Sequence, residues 1–308
     1  MHSKRHTLSR RIARHWQLYL FLLLPLIYLL IFHYYPMTGV QIAFKKYSAR
    51  LGIWGSPWVG LKNIQKFFNS VRFTTIVGNT LRLSLYSLIA GFPLPVIFAL
   101  MLGVMRNERY KKVVQTITYM PHFISVVVLV SMILQIFNPI LGIYGKAYSA
   151  LFGTAAPDLL GSPAALPHIY VWSGIWQSFG WDSIIYVAAL AAVSPELHEA
   201  AQIDGASRFQ RVLHVDLPAI LPTATIMLIL RTGKVMSIGF EKIFLLQNDL
   251  NLTTSEVIST YVYKVSLKAS VPDFSYSTAI DLFNSVINLF LICTVNFISG
   301  RISETSLW

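Results

Sequence analysis

Charge is what this chain has least of. Only 12% of its 308 residues are Asp, Glu, Lys or Arg, about half the share of an ordinary soluble domain. A soluble fold of this length needs a polar skin, and too few charges are present to make one. Cysteine is nearly absent: Cys293 stands alone inside an apolar run. One cysteine excludes an internal disulfide and a cysteine-based metal site. No G-x-x-x-x-G-K-[S/T] occurs, since Gly145-Lys146 and Gly233-Lys234 lack the earlier glycine that a phosphate-cradling loop requires. The chain therefore binds no nucleotide by that route. His198-Glu199 lacks the second histidine of a zinc-protease helix, and no catalytic constellation or metal cluster stands out.

What is present is apolar. Hydrophobic residues make up 55% of the chain and the mean hydropathy is +0.57. Runs near or above the ~20 residues needed to cross ~30 Å of hydrocarbon as a helix fall at about 16–35, 76–104, 114–137, 168–193, 219–238 and 278–299. Helices are expected because lipid offers backbone groups no partner. The fold class expected is all-α, with six transmembrane helices over 16–308 behind a basic tail at 1–15. The first run follows a charged segment, as in a signal peptide. It is long, contains Pro25 and has no small-residue cleavage site after it, so it reads as a retained span. The sequon at Asn251 reads as accidental.

The net charge of +12 suits basic loops beside a bilayer. Nucleic acid is not an expected partner, because no basic–aromatic recognition pattern accompanies it. Six spans put both termini on one side. Basic residues are nearly balanced between the two sides. Those of the tail and of the turn holding Arg106, Arg109, Lys111 and Lys112 are packed close to span ends, which favours an inside tail.

A polar stretch, 194–218, separates the fourth and fifth runs. Ser194 and Pro195 suit a helix start, and Gly205 suits its end. A second helix is expected from about Ala206, with Pro218 opening the fifth span. Glu199-Ala200-Ala201, then Gly205, then Val215-Asp216-Leu217-Pro218 resembles the loop of permeases of binding-protein-dependent, ATP-driven importers. Every spacing of the family pattern is kept, and Val215 stands for the commoner isoleucine. Residues 79–85 (NTLRLSL), 119–125 (YMPHFIS), 239–248 (GFEKIFLLQN) and 258–264 (ISTYVYK) are similar to the subgroup importing oligosaccharides and larger polysaccharide fragments, particularly permeases of complex or acidic saccharides such as alginate or pectin fragments.

The resemblance implies that the loop is a cytoplasmic coupling knob docking on an ATP-binding subunit. Glu199, Ala200, Ala201, Asp204, Gly205, Leu217 and Pro218 would make that contact. It further implies alternating access, a second and different permease subunit, two ATPase subunits holding ATP and magnesium, and an extracytoplasmic solute-binding protein. The location implied is a prokaryotic cytoplasmic membrane with both termini inside. This chain itself would hold no cofactor or metal and have no catalytic residue. Rival expectations are a non-sugar solute such as a peptide, an ion-driven secondary transporter, or a non-transporting sensor subunit.

Charges inside spans usually face a cavity or a partner. Arg231 and Lys234, three apart in the outer half of the fifth span, would share a helix face. Lys234 could equally snorkel to the interface. Asp182, beside Trp172, Trp176 and Trp181, could accept sugar hydroxyls or neutralise Arg231. Asn284 and Asn288 could line the path or bind helices together. Asp281 reads as interfacial.

Overall fold

The computed structural model describes residues 14–302. Of the tail expected at 1–15, all but the last two residues lie outside that range. Among the described residues every named element is helical. The one extended pairing is an isolated antiparallel bridge between Lys45 and Trp58.

Helix α1 (Trp16–Phe44) is a continuous 29-residue run that ends in a 3-10 turn. α2 covers Phe73–Val104, α3 Glu108–Phe123 and α4 Val126–Ile136. α5 is Leu166–Ala191 and α6 is Pro195–Ile203. α7 is Arg208–Thr232, α8 Phe240–Leu246, α9 Ile258–Tyr263 and α10 Phe274–Ile302. Four of these, α1, α2, α7 and α10, are individually long and apolar enough to cross a membrane; α3–α4 and α5–α6 qualify as bent pairs, which makes six.

The third expected span is not one straight helix. α3 and α4 meet at 97°. Met120–Phe123 tightens into a 3-10 turn around Pro121, and Ser125 begins a new helix by accepting the Val128 N–H. The carbonyl of Ile124 loses its helical partner at the break, and Gln177 Nε2 of α5 replaces it at 2.8 Å. An unpaired backbone group at membrane depth is costly, so this side chain makes the bend tenable.

The fifth span is displaced toward its start. It was expected over 219–238, yet the helix begins at Arg208 and ends at Thr232. Pro218 stands in the first turn of the α-helical stretch Leu217–Thr232, as expected, but the helix is continued backward from it to Arg208. Val212–Asp216 winds as a π turn just ahead of it, which opens the register where the proline ring would meet a preceding carbonyl and where an N–H is missing. At the far end Gly233 closes the helix. The next free N–H, of Met236, bonds Asn288 Oδ1 of α10 at 2.9 Å.

Three apolar clusters hold the bundle. Leu83, Leu129, Ile133, Leu166 and Ile243 join α2, α4, α5 and α8. Phe67, Ile76, Met236, Ile258 and Ile280 join α2, α9 and α10. Val96, Ala99, Tyr186, Ile220 and Ala224 join α2, α5 and α7. Gly180 lets α5 cross α3 closely: a Cβ there would stand 2.2 Å from the Thr118 carbonyl oxygen.

Candidate functional site

The residues expected to carry function fall mainly in two polar regions. The first is the knob. Ser194 caps α6 by accepting the Glu196 N–H. At the other end Ala206 N reaches back to Ala201 O at 2.9 Å, a closure that needs a left-handed residue; Gly205 supplies it at φ +79°. Ser207 and Gln210 form a reciprocal capping box that starts α7. Local sequence thus ends α6 and starts α7.

Glu199, Ala200, Asp204, Gly205 and Pro218 are exposed, and Ala201 and Leu217 are half-buried. Sequence reasoning missed the large apolar side chains beside them: Ile203 is 86% exposed and Phe209 70%. It also missed His198 Nε2, which meets Asp216 Oδ1 at 3.1 Å and ties α6 to the base of α7. Only the tertiary fold brings these two residues, eighteen positions apart, together. No group of three or more metal-capable side chains occurs among the described residues.

The second region is a polar recess between α2, α5, α7 and the turn after it. Arg231 Nη2 lies 2.6 Å from Asp182 Oδ2, and the Arg231 guanidinium stands 5.9 Å from the Phe92 ring. Two adjoining cavities of about 280 and 230 Å³ share Ser87, Tyr170 and Arg231 on their walls. The larger adds Ser84, Lys234 and Ser237; the smaller adds Gln177, Ser178, Asp182 and Lys242.

Arg231 and Lys234 therefore line one cavity, although not from one helical face. Lys234 lies beyond the helix end, in a turn where its N–H bonds Arg231 O at 3.1 Å. Asp182 is paired with Arg231. Asn288 accepts from Met236 N through Oδ1 and donates through Nδ2 to Ser237 Oγ at 2.9 Å. Asn284 Oδ1 is buried without a hydrogen-bond partner. Trp181 is not on the wall of either cavity. Its ring stacks on His122 at 4.5 Å, nearly parallel at 1°, where the α3–α4 bend brings the imidazole. Trp172 Nε1 donates to the Tyr86 hydroxyl at 2.9 Å, which in turn meets His168 Nδ1 at 2.8 Å.

Lys242 of α8 was not singled out from sequence. It is 8% exposed. Its amine donates to Tyr170 O at 2.8 Å and sits 4.9 Å from the Tyr170 ring. Burial lowers its pKa to about 8, because desolvation disfavours the ammonium.

Comparison with known proteins agrees with this architecture. Protein LplB of Bacillus subtilis is 41% identical over 291 residues, 94% of this chain and 91% of that protein. The Bacillus subtilis polygalacturonan/rhamnogalacturonan transport system permease protein YteP is 38% identical over 306 residues, 99% of this chain and 94% of that one. Among solved structures, a chain of a bacterial ABC transporter involved in import of the acidic polysaccharide alginate superposes with a TM-score of 0.88 at 38% identity, covering 96% of this chain and 99% of that one. Residues 91–304 match the profile of the binding-protein-dependent transport system inner membrane component. The chain belongs to that family.

Proposed function

We propose that this chain is one permease half of an ATP-driven importer that carries oligosaccharides or polysaccharide fragments, acidic ones such as oligouronates included, through a membrane by alternating access. The observation that carries the reading is the recess lined by Arg231, Lys234, Ser84, Ser87, Gln177 and Ser178 between the helices. Hydroxyl, amide and basic groups match the hydroxyls and carboxylates of such a solute. The relatives support it: YteP belongs to a polygalacturonan/rhamnogalacturonan system, and the structural neighbour to an importer of acidic alginate.

In this reading the complete machine adds a second, different permease, two ATPase subunits that hold ATP and magnesium, and an extracytoplasmic solute-binding protein. A relative of this chain occurs in a complex with an alginate-pentasaccharide-bound periplasmic protein, which supports the last of these. The termini and the knob face the cytoplasm. The mixed surface of Glu199, Asp204, Ile203 and Phe209 docks on an ATPase subunit. Closure of the ATPases pushes the knob, and the His198–Asp216 contact passes the displacement into α7, which carries Arg231. The recess then opens alternately outward and inward.

The test is uptake into proteoliposomes holding the full complex. ATP inside and loaded binding protein outside should drive accumulation of oligogalacturonate. Accumulation that continues without the ATPase subunits, or of peptides in place of saccharides, overturns the reading.

A further inference from the structure

Three basic side chains border the recess, and their electrostatic circumstances differ. Arg231 is already matched by Asp182 at 2.6 Å, so the pair presents little net charge. Lys234 is exposed in the turn beyond α7, where solvent and salt screen its charge. Lys242 is the most enclosed of the three, at 8% exposure. An ammonium has three donors; one of Lys242's meets the Tyr170 carbonyl. Among the described residues no carboxylate pairs with it: the six ion pairs involve other cations. A buried charge without a counter-charge is costly to keep. The ring of Tyr170 offsets part of that cost.

The position is built to bring the amine to the cavity wall. Ile243 and Leu246 anchor α8 in the apolar core beside Leu129 and Leu166. Gly174 of α5 leaves the space the amine fills: a Cβ there would lie 3.1 Å from Lys242 Nζ. Gly174 and Lys242 border the same cavity as Arg231 and Asp182. Gly174 and Asp182 are eight residues apart on α5, about 12 Å along a helix axis. The recess therefore has a neutralised ion pair at one end and an unmatched ammonium at the other.

We propose that Lys242 is a specificity-determining residue of the transport path, supplying the uncompensated positive charge that a carboxylate of an acidic saccharide pairs with as it passes through the recess. This rests on the reading of the chain as a saccharide permease. It moves the charge selection away from Arg231, whose charge Asp182 already holds. A passing carboxylate accepts the free ammonium protons in charge-assisted hydrogen bonds. A neutral sugar leaves the ammonium unmatched.

The experiment compares Lys242→Gln with the parent chain in proteoliposomes holding the full complex, offered oligogalacturonate or its fully methyl-esterified, uncharged counterpart. The binding protein is the same in every arm, so its own preference cancels when the acidic-to-neutral uptake ratio of the variant is divided by that of the parent. Lys242→Gln should lower this ratio about tenfold, Lys242→Arg should hold it within about twofold, and Gly174→Ala, which crowds the amine without removing it, should lower it about threefold. Gly174→Ala keeps the question answerable if Lys242→Gln fails to assemble. Equal loss of both substrates in Lys242→Gln, or an unchanged ratio in Gly174→Ala when Lys242→Gln does not assemble, overturns the proposal and leaves Lys242 as a brace between α8 and α5. A parent complex that accumulates neither substrate overturns the saccharide reading and the proposal with it.

Discussion

Arg231 of α7 and Asp182 of α5 meet at 2.6 Å, forty-nine positions apart in sequence, with about a quarter of the arginine side chain and a third of the carboxylate exposed. The pair does two things. It joins the helix that continues from the knob to the helix that precedes it. It also removes the net charge that Arg231 would otherwise bring to the recess.

Asp182→Asn keeps the shape and removes the counter-charge. It should destabilise the chain by about 1–3 kcal/mol, the range for losing a hydrogen bond to a charged partner. Pairing it with Arg231→Met should recover most of that loss. The check is a thermal-unfolding cycle of the two single variants and the double variant in detergent. A double variant no better than the worse single variant refutes the coupling.

Replacing both Arg231 and Lys234 by Gln tests the whole basic border of the larger cavity. Uptake of acidic oligosaccharide, measured as initial rates at matched chain length, should fall more than uptake of the neutral one, because the change removes the Lys234 charge and leaves Asp182 as an unmatched negative charge in the recess. Equal loss of the two refutes a charge-reading role for this border.

Gly205→Glu puts a side chain on a residue held at φ +79°, a left-handed conformation that costs ordinary residues about 1 kcal/mol, and adds bulk and charge to an exposed surface. Insertion and assembly should survive. ATP hydrolysis should proceed while transport falls at least about tenfold. Transport at the parent rate per ATP would refute the knob's coupling role.

Gly180→Ala sets a methyl group 2.2 Å from the Thr118 carbonyl oxygen. Backbone cannot yield as a flexible side chain does, so α3 and α5 must separate, at about 1–3 kcal/mol. The contrast is Gly78→Ala on α2, where a methyl meets nothing within 4 Å. Melting of the two purified variants should differ accordingly, and equal midpoints would count against the close crossing.

Most of the fold was legible in the chain. Long apolar runs with few charges determine helices that cross a membrane, because length and hydropathy act locally and lipid allows few alternatives. The knob was legible for the same reason: Ser194, Pro195, Gly205 and Ser207 act within a few residues of themselves, as caps and a left-handed turn. The recess residues were legible only as candidates. Periodicity put Arg231 and Lys234 on one face, but it is Asn288 of α10 that takes the Met236 N–H just beyond the end of α7. Lys242 was hidden in a short helix whose sequence carries no sign of depth.

The sequence by itself therefore determined that this protein is a helical membrane bundle with a capped knob between two spans. It also carries no G-x-x-x-x-G-K-[S/T] motif. The tertiary structure decided which charges are matched and which are not. Asp182 neutralises Arg231, His198 ties the knob to Asp216, and Lys242 reaches the recess with no carboxylate paired to it among the described residues. The physical reason is that helix formation is written in neighbours along the chain, while Coulomb pairing and desolvation depend on distances in space, which packing alone sets.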